Sequence, residues 1–214
     1  MSPAGIEAIV FDYGNVISRF DVQLYFRGIL PYSSLSQVDL ALAMKGSSQV
    51  IVTYESGGMS SDQFFAAISE RCSLQMTREE FVRVYNGIFE PIETTRDLIR
   101  QLHGRYRLGL LSNTSEWHFQ HEISRNPIFP LFEAVTVSHE VKLRKPAEAI
   151  YRDILRKLNL PPAACVYVDD IAEFALAATR LGMHGVHYTT HEKLLEHLSE
   201  IGIRIAAADG TTTP

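Results

Sequence analysis

Four short apolar runs, each closing on a polar or acidic residue, constrain this chain more than any other feature. Residues 6–11 end at Asp12, 108–111 at Ser112-Asn113, 134–137 near Ser138, and 165–168 at Asp169-Asp170; a weaker fifth run covers 185–188. Runs this short and apolar on both faces suit strands buried between helices better than half-exposed hairpin strands. Helical patterns separate them at 94–102, 147–158, 173–181 and 191–201. Within the second of these, Ile150, Ile154, Leu155 and Leu158 recur at helical spacing and predict a core-facing stripe. Strands alternating with helices predict an α/β fold, a Rossmann-like parallel sheet with helices on both faces.

Residues 19–92 break that rhythm. They carry helical patterns at 39–44, 62–72 and 78–89 and no convincing buried strand, with Ser60-Ser61-Asp62 and Thr77 placed as helix N-caps. The expected organisation is a Rossmann-like core of residues 1–18 and 93–205, with a helical cap over 19–92 inserted after the first strand. The tail 206–214, rich in Ala, Gly and Thr, is expected to be disordered.

The 214 residues are 46% hydrophobic and carry a net charge of −5, with no concentrated Lys/Arg patch, which argues against a nucleic-acid partner. No apolar stretch reaches the ~20 residues a membrane span needs, and the first residues lack a secretory pattern. Cys72 and Cys165 lie far apart and read as free buried thiols in a reducing compartment. The expectation is a cytoplasmic protein, monomer or homodimer, away from membranes.

In an open α/β sheet, ligands bind in the crevice beyond the carboxyl ends of the strands. Asp12, Ser112-Asn113 and Asp169-Asp170 all fall at such ends. Three carboxylates on one rim repel unless a cation is shared, and oxygen-only donors favour a hard ion such as Mg²⁺. A carboxylate is also a competent nucleophile toward a phosphoryl group held in line. The Ser112 hydroxyl, with the Asn113 amide and backbone N–H, suits phosphate oxygens. Lys145, in Arg144-Lys145-Pro146-Ala147, supplies a point charge, and Pro146 is expected at the first helical position, fixing where Lys145 points. These parts suit phosphoryl transfer.

The order Asp12-Tyr13-Gly14-Asn15-Val16-Ile17, Leu110-Leu111-Ser112-Asn113-Thr114, Arg144-Lys145-Pro146 and Val168-Asp169-Asp170 resembles the haloacid dehalogenase superfamily. Within it, the first segment is similar to the branch of sugar-phosphate phosphatases and the phosphatase domain of soluble epoxide hydrolase relatives. The helical block resembles the small cap of the first cap class. The resemblance implies a Mg²⁺-dependent phosphomonoester hydrolase acting on a small phosphorylated metabolite through an aspartyl-phosphate. Asp12 would be nucleophile and metal ligand, the Gly14 carbonyl a second ligand, and Asp169 or Asp170, or both, would complete the site. Ser112 and Asn113 would bind the phosphoryl group, and Lys145 would neutralise Asp12 and the phosphate. Two departures qualify it: Gly14 stands where the family's phosphatases carry a general-acid Asp, and Ile171 and Phe174 stand where polar residues are usual. They keep two alternatives open, a 2-haloacid dehalogenase-type hydrolase and a catalytically impaired phosphate-ligand or partner-binding protein.

Four further features have modest readings. Asp21 and Glu55 are conceivable substitute acids. Glu55 is expected to be a solvated carboxylate in a turn spanning 54–59. His118 and His121 form a surface or half-buried pair rather than a zinc site, and Trp117 with Phe119 are expected to be packing.

Overall fold

A computed structural model describes residues 5–205. β1 (Ala8–Phe11) is the central strand of a five-stranded parallel sheet with β4 (Arg107–Ser112) and β5 (Ala134–Val137) on one side and β6 (Cys165–Asp169) and β7 (His184–His187) on the other. The two-residue period of β1 sends Ile9 and Phe11 to one face and Ala8 and Val10 to the other, and all four are fully buried. On the first face they meet Leu98, Ile99 and Leu102 of α6 (Glu93–Leu102) and Leu194 and Leu198 of α11 (His191–Glu200). On the second they meet Ile150, Ile154 and Leu158 of α9 (Glu148–Leu158) and Ala178 of α10 (Ala172–Arg180). The predicted α/β architecture, with helices on both faces, is the one observed. Among the described residues, no helix is long and apolar enough to cross a membrane.

The segment after β1 holds α1 (Val22–Ile29), α2 (Gln37–Lys45), α3 (Ser48–Glu55), α4 (Ser61–Arg71) and α5 (Arg78–Asn86). They pack round a separate apolar cluster that includes Tyr25, Leu40, Tyr54, Phe64, Ile68, Phe81 and Tyr85. Trp117, from α7 (Glu116–His121), inserts into that cluster from the sheet-bearing part of the chain. Ser60 and Thr77 cap α4 and α5 as expected, each in a reciprocal capping box with Gln63 or Glu80 three residues on.

Several local expectations need correction. β2 (Ser18–Phe20) pairs antiparallel with β3 (Phe89–Pro91), a two-stranded ribbon at the root of the helical block. Both strands are three residues long and mostly exposed, so neither carries the buried apolar run that marks the sheet strands. The expected helix 78–89 therefore ends at Asn86, and Phe89 belongs to the ribbon. Pro146 is not at the first helical position: α9 begins at Glu148, with Ala147 as its N-cap. Cys72 and Cys165 are free and buried. The tail 206–214 lies outside the described residues.

Candidate active site

The sheet changes winding direction at β1, opening a crevice beyond the carboxyl ends of β1, β4 and β6. Phe11 is in register with both Leu110 and Val168, so Asp12 leaves the sheet beside Asp169, and the Asp12 N–H donates to the Val168 carbonyl at 2.9 Å. The next residues curl into a tight turn. Ile17 N–H donates to the Tyr13 carbonyl, Asn15 N–H donates to the Ser18 carbonyl, and Asn15 adopts a left-handed φ of 53°. That curl carries the Asn15 side chain to Asp170, whose Oδ2 accepts from Asn15 Nδ2 at 3.0 Å.

Lys145 is the hub. Its ammonium group, almost wholly buried, lies 2.8 Å from Asp12 Oδ1 and 2.7 Å from Asp169 Oδ2. Pro146 does not aim it. The Asn113 side chain does, by accepting from the Lys145 backbone N–H at 2.9 Å and donating to the Lys145 carbonyl at 3.2 Å. Both ends of the Asn113 amide are thereby engaged, which leaves its backbone N–H as the group it offers an anion. Ser112, the last residue of β4, is buried beside it.

The two acidic neighbours are not equivalent. Asp169 Oδ2 accepts from Lys145 and from the Tyr167 hydroxyl, and its Oδ1 accepts from the Ile171 N–H at 2.9 Å. Tyr167 escapes a reading of the sequence that sees only a buried apolar run. The signal is the strand period, since residues two apart on β6 share a face. Phe174 turns its ring toward Lys145, with Nζ 5.1 Å from the ring centroid, so the residue that replaces a polar neighbour of the acids supports the cation instead.

Burial dominates the electrostatics. It pushes the Asp12 carboxyl up to about 7; Lys145 pulls it down and Asp169 pushes it up again. Asp170 is also raised, by burial, against the hydrogen bond from Asn15. A divalent cation would remove that penalty. Asp12, Asp169 and Asp170 each offer an oxygen within 4.8 Å of the others, and the buried Asp12 Oδ1 accepts no well-directed hydrogen bond, Lys145 facing it only as an ion pair. A set of hard oxygen donors with an orphaned lone pair fits Mg²⁺.

The substitute acids fare differently. Asp21 is spent as the exposed N-cap of α1, accepting from the Gln23 N–H. Glu55 is not a solvated turn residue: it ends α3, is half-buried, and pairs with Arg144 at 2.8 Å. Burial raises its carboxyl, while Arg144 and Lys145 pull it down. At Gly14 a Cβ would stand 3.2 Å from the Phe20 ring, so Phe20 crowds the space that an acid side chain there would enter. His118 stacks on Tyr85 at 4.1 Å between ring centroids and faces the edge of Phe89. His118 is thus a packing residue.

A family model described as haloacid dehalogenase-like hydrolase matches residues 32–187. Among curated proteins, a D-ribitol-5-phosphate phosphatase from Bacteroides thetaiotaomicron is 26% identical, over 77% of this chain and 83% of its own length. A sesquiterpene phosphatase from Aspergillus oryzae is 23% identical, over 86% and 90% respectively. Among solved structures, a HAD family enzyme from Bacteroides thetaiotaomicron, in complex with magnesium and inorganic phosphate, superposes with a TM-score of 0.74 at 19% identity, covering 84% of this chain and 92% of its own.

Proposed function

Because the chain belongs to the haloacid dehalogenase-like hydrolase family, we propose that it hydrolyses a small phosphomonoester with Asp12 as the nucleophile. The observation that carries this reading is the buried Lys145 ammonium lying between Asp12 and Asp169, with Asp170 in reach, at the point where the sheet changes direction. The two curated relatives are phosphatases by name, one of a pentitol phosphate and one of sesquiterpenes. That pairing supports phosphoryl chemistry as the shared step and the alcohol as the variable.

In the proposed reaction an Asp12 carboxylate oxygen attacks phosphorus, the bond from phosphorus to the alcohol oxygen breaks, the alcohol leaves with a proton drawn from water, and an aspartyl-phosphate forms. A second water then attacks phosphorus, gives up a proton to solvent, and restores the Asp12 carboxylate as phosphate departs. Lys145 offsets the charge of Asp12 and of the transferred group. The Ser112 hydroxyl and the Asn113 N–H donate to phosphoryl oxygens. Asp12, Asp170 and the Gly14 carbonyl would hold Mg²⁺, which when bound would supply charge neutralisation for the phosphoryl group. Asp170 suits direct ligation better than Asp169, because both Asp169 oxygens already hold Lys145, Tyr167 and the Ile171 N–H. The block 19–92 serves as a cap that closes over the crevice and excludes water.

The test is phosphate release by the purified protein from phosphomonoesters. Release with Mg²⁺ that is lost in chelator and in Asp12→Asn is the expected result. Hydrolysis that survives either change would refute the role of Asp12 or of the cation.

A further inference from the structure

A cavity of about 170 Å³ lies within the helical block, walled by Tyr25, Ile51, Phe64, Ile68, Tyr85 and Ile88 among others. It adjoins the phosphoryl end of the site through two residues. Phe20, which lines the cavity, places its ring against Gly14, two residues past Asp12. Glu55, also in the lining, is held by Arg144, the residue before Lys145. Phe20 and Val22, large apolar side chains in the same lining, remain exposed to solvent.

The few polar groups of the lining are mostly engaged. Glu55 has Arg144, the Ser47 hydroxyl donates to the Ala43 carbonyl at 2.8 Å, and His118 Nε2 lies 3.1 Å from the Tyr85 carbonyl oxygen. Among the described lining residues, the Tyr25 hydroxyl is buried without a partner. A polyol moved into this space would find the Tyr25 hydroxyl and the second Glu55 carboxylate oxygen and strand its other hydroxyls, each at a cost of about tenfold in affinity. An apolar group loses nothing there and gains burial against aromatic and aliphatic walls. The volume suits one six-membered ring or a chain of about six carbons, since an apolar cavity of about 150 Å³ accepts benzene.

We propose that the alcohol carried by the substrate is apolar, about one ring or six carbons in size, and that this cavity holds it while Asp12 engages the phosphate. The inference rests on the phosphatase reading and narrows its substrate. It assigns Ile51, Phe64 and Ile68 to the alcohol rather than to the phosphate.

The test measures kcat/KM with Mg²⁺ for hexyl phosphate, benzyl phosphate, glycerol phosphate, sorbitol 6-phosphate and acetyl phosphate, the last leaving the cavity empty. Hexyl or benzyl phosphate is expected to exceed both polyol phosphates by about tenfold or more. Ile51→Trp, which fills the cavity, is expected to lower the hexyl-to-acetyl phosphate ratio of kcat/KM by about tenfold. Polyol phosphates that match or beat the apolar esters in the wild type overturn the proposal whatever the variant does. An unchanged ratio in folded Ile51→Trp overturns the assignment to this cavity. No turnover of any of the five compounds, the acyl phosphate included, refutes the phosphatase reading itself, which separates the two failures.

Discussion

Asp12 pays for its position with burial, and this makes its charge state readable in stability as well as in turnover. Its carboxyl sits at about 7 in the folded protein against an ordinary value of 3.8. A group raised on folding stabilises the fold fully below its unfolded value and loses that contribution as pH climbs through the folded value. In chelator, Asp12→Asn should therefore melt higher than wild type above pH 7, and the gap should shrink as pH falls toward 4. A change of about 1 kcal/mol moves the midpoint of a chain this size by about 2–4 °C, so calorimetry across that range resolves it. Mg²⁺ should raise the wild type at pH 7 and leave the Asn variant nearly unmoved. Tyr167 offers a second check. Its hydroxyl donates to the buried, charged Asp169, and a hydrogen bond to a charged group is worth about 1.5–3 kcal/mol. Tyr167→Phe is expected to lose about that much stability in denaturant titration. A loss below about 0.5 kcal/mol would leave Tyr167 a packing residue only.

At the scale of elements, the join between the helical block and the sheet-bearing part depends on close fits. Gly57, after α3, has a φ of +65°, and a Cβ there would come within 2.1 Å of the His139 carbonyl oxygen in α8 (Ser138–Val141). A side chain would both strain the backbone and push the two parts apart. Gly57→Ala should destabilise by roughly 1–3 kcal/mol in denaturant titration, a cost that an exposed turn glycine would not show. Trp117 works from the other side. It is nearly fully buried among Tyr54, Phe64, Phe81 and Tyr85 although it belongs to α7. Trp117→Ala should cost about 3–5 kcal/mol, the usual range for deleting a large aromatic from a core. If the loss stays below about 1 kcal/mol, α7 does not pin the helical block.

Across the whole molecule, the same seam is expected to respond to acid. His118 lies among Tyr85, Phe89 and the Tyr85 carbonyl, and burial lowers its imidazole from 6.5 to about 4. A histidine depressed on folding takes up protons more readily when unfolded, so stability should decline as pH falls from about 6.5 toward 4. Removing the titratable ring with His118→Phe should flatten that decline, read as the midpoint of thermal unfolding at each pH. An identical slope in the variant would place the acid sensitivity elsewhere. This trend opposes that of Asp12, and the two variants separate them.

The order and character of the apolar runs were enough to specify the α/β class, because a strand buried on both faces needs an uninterrupted apolar stretch and its terminal residue needs somewhere polar to go. The same logic marked Asp12, Ser112, Asn113, Asp169 and Asp170 at strand ends, Lys145 joined them as a point charge from the Arg144-Lys145-Pro146 segment, and capping chemistry marked the starts of α4 and α5. The β2–β3 ribbon left no such trace, since two three-residue, mostly exposed strands pair through backbone groups that every residue type carries. Tyr167 beside Asp169, Asn113 beneath Lys145 and Glu55 against Arg144 depend on rotamers and on which distant segments meet, and local composition holds neither. The cavity follows the same rule: each aromatic and aliphatic residue around it reads as ordinary core along the chain, and only helix packing decides whether such side chains close on one another or leave room for a ligand.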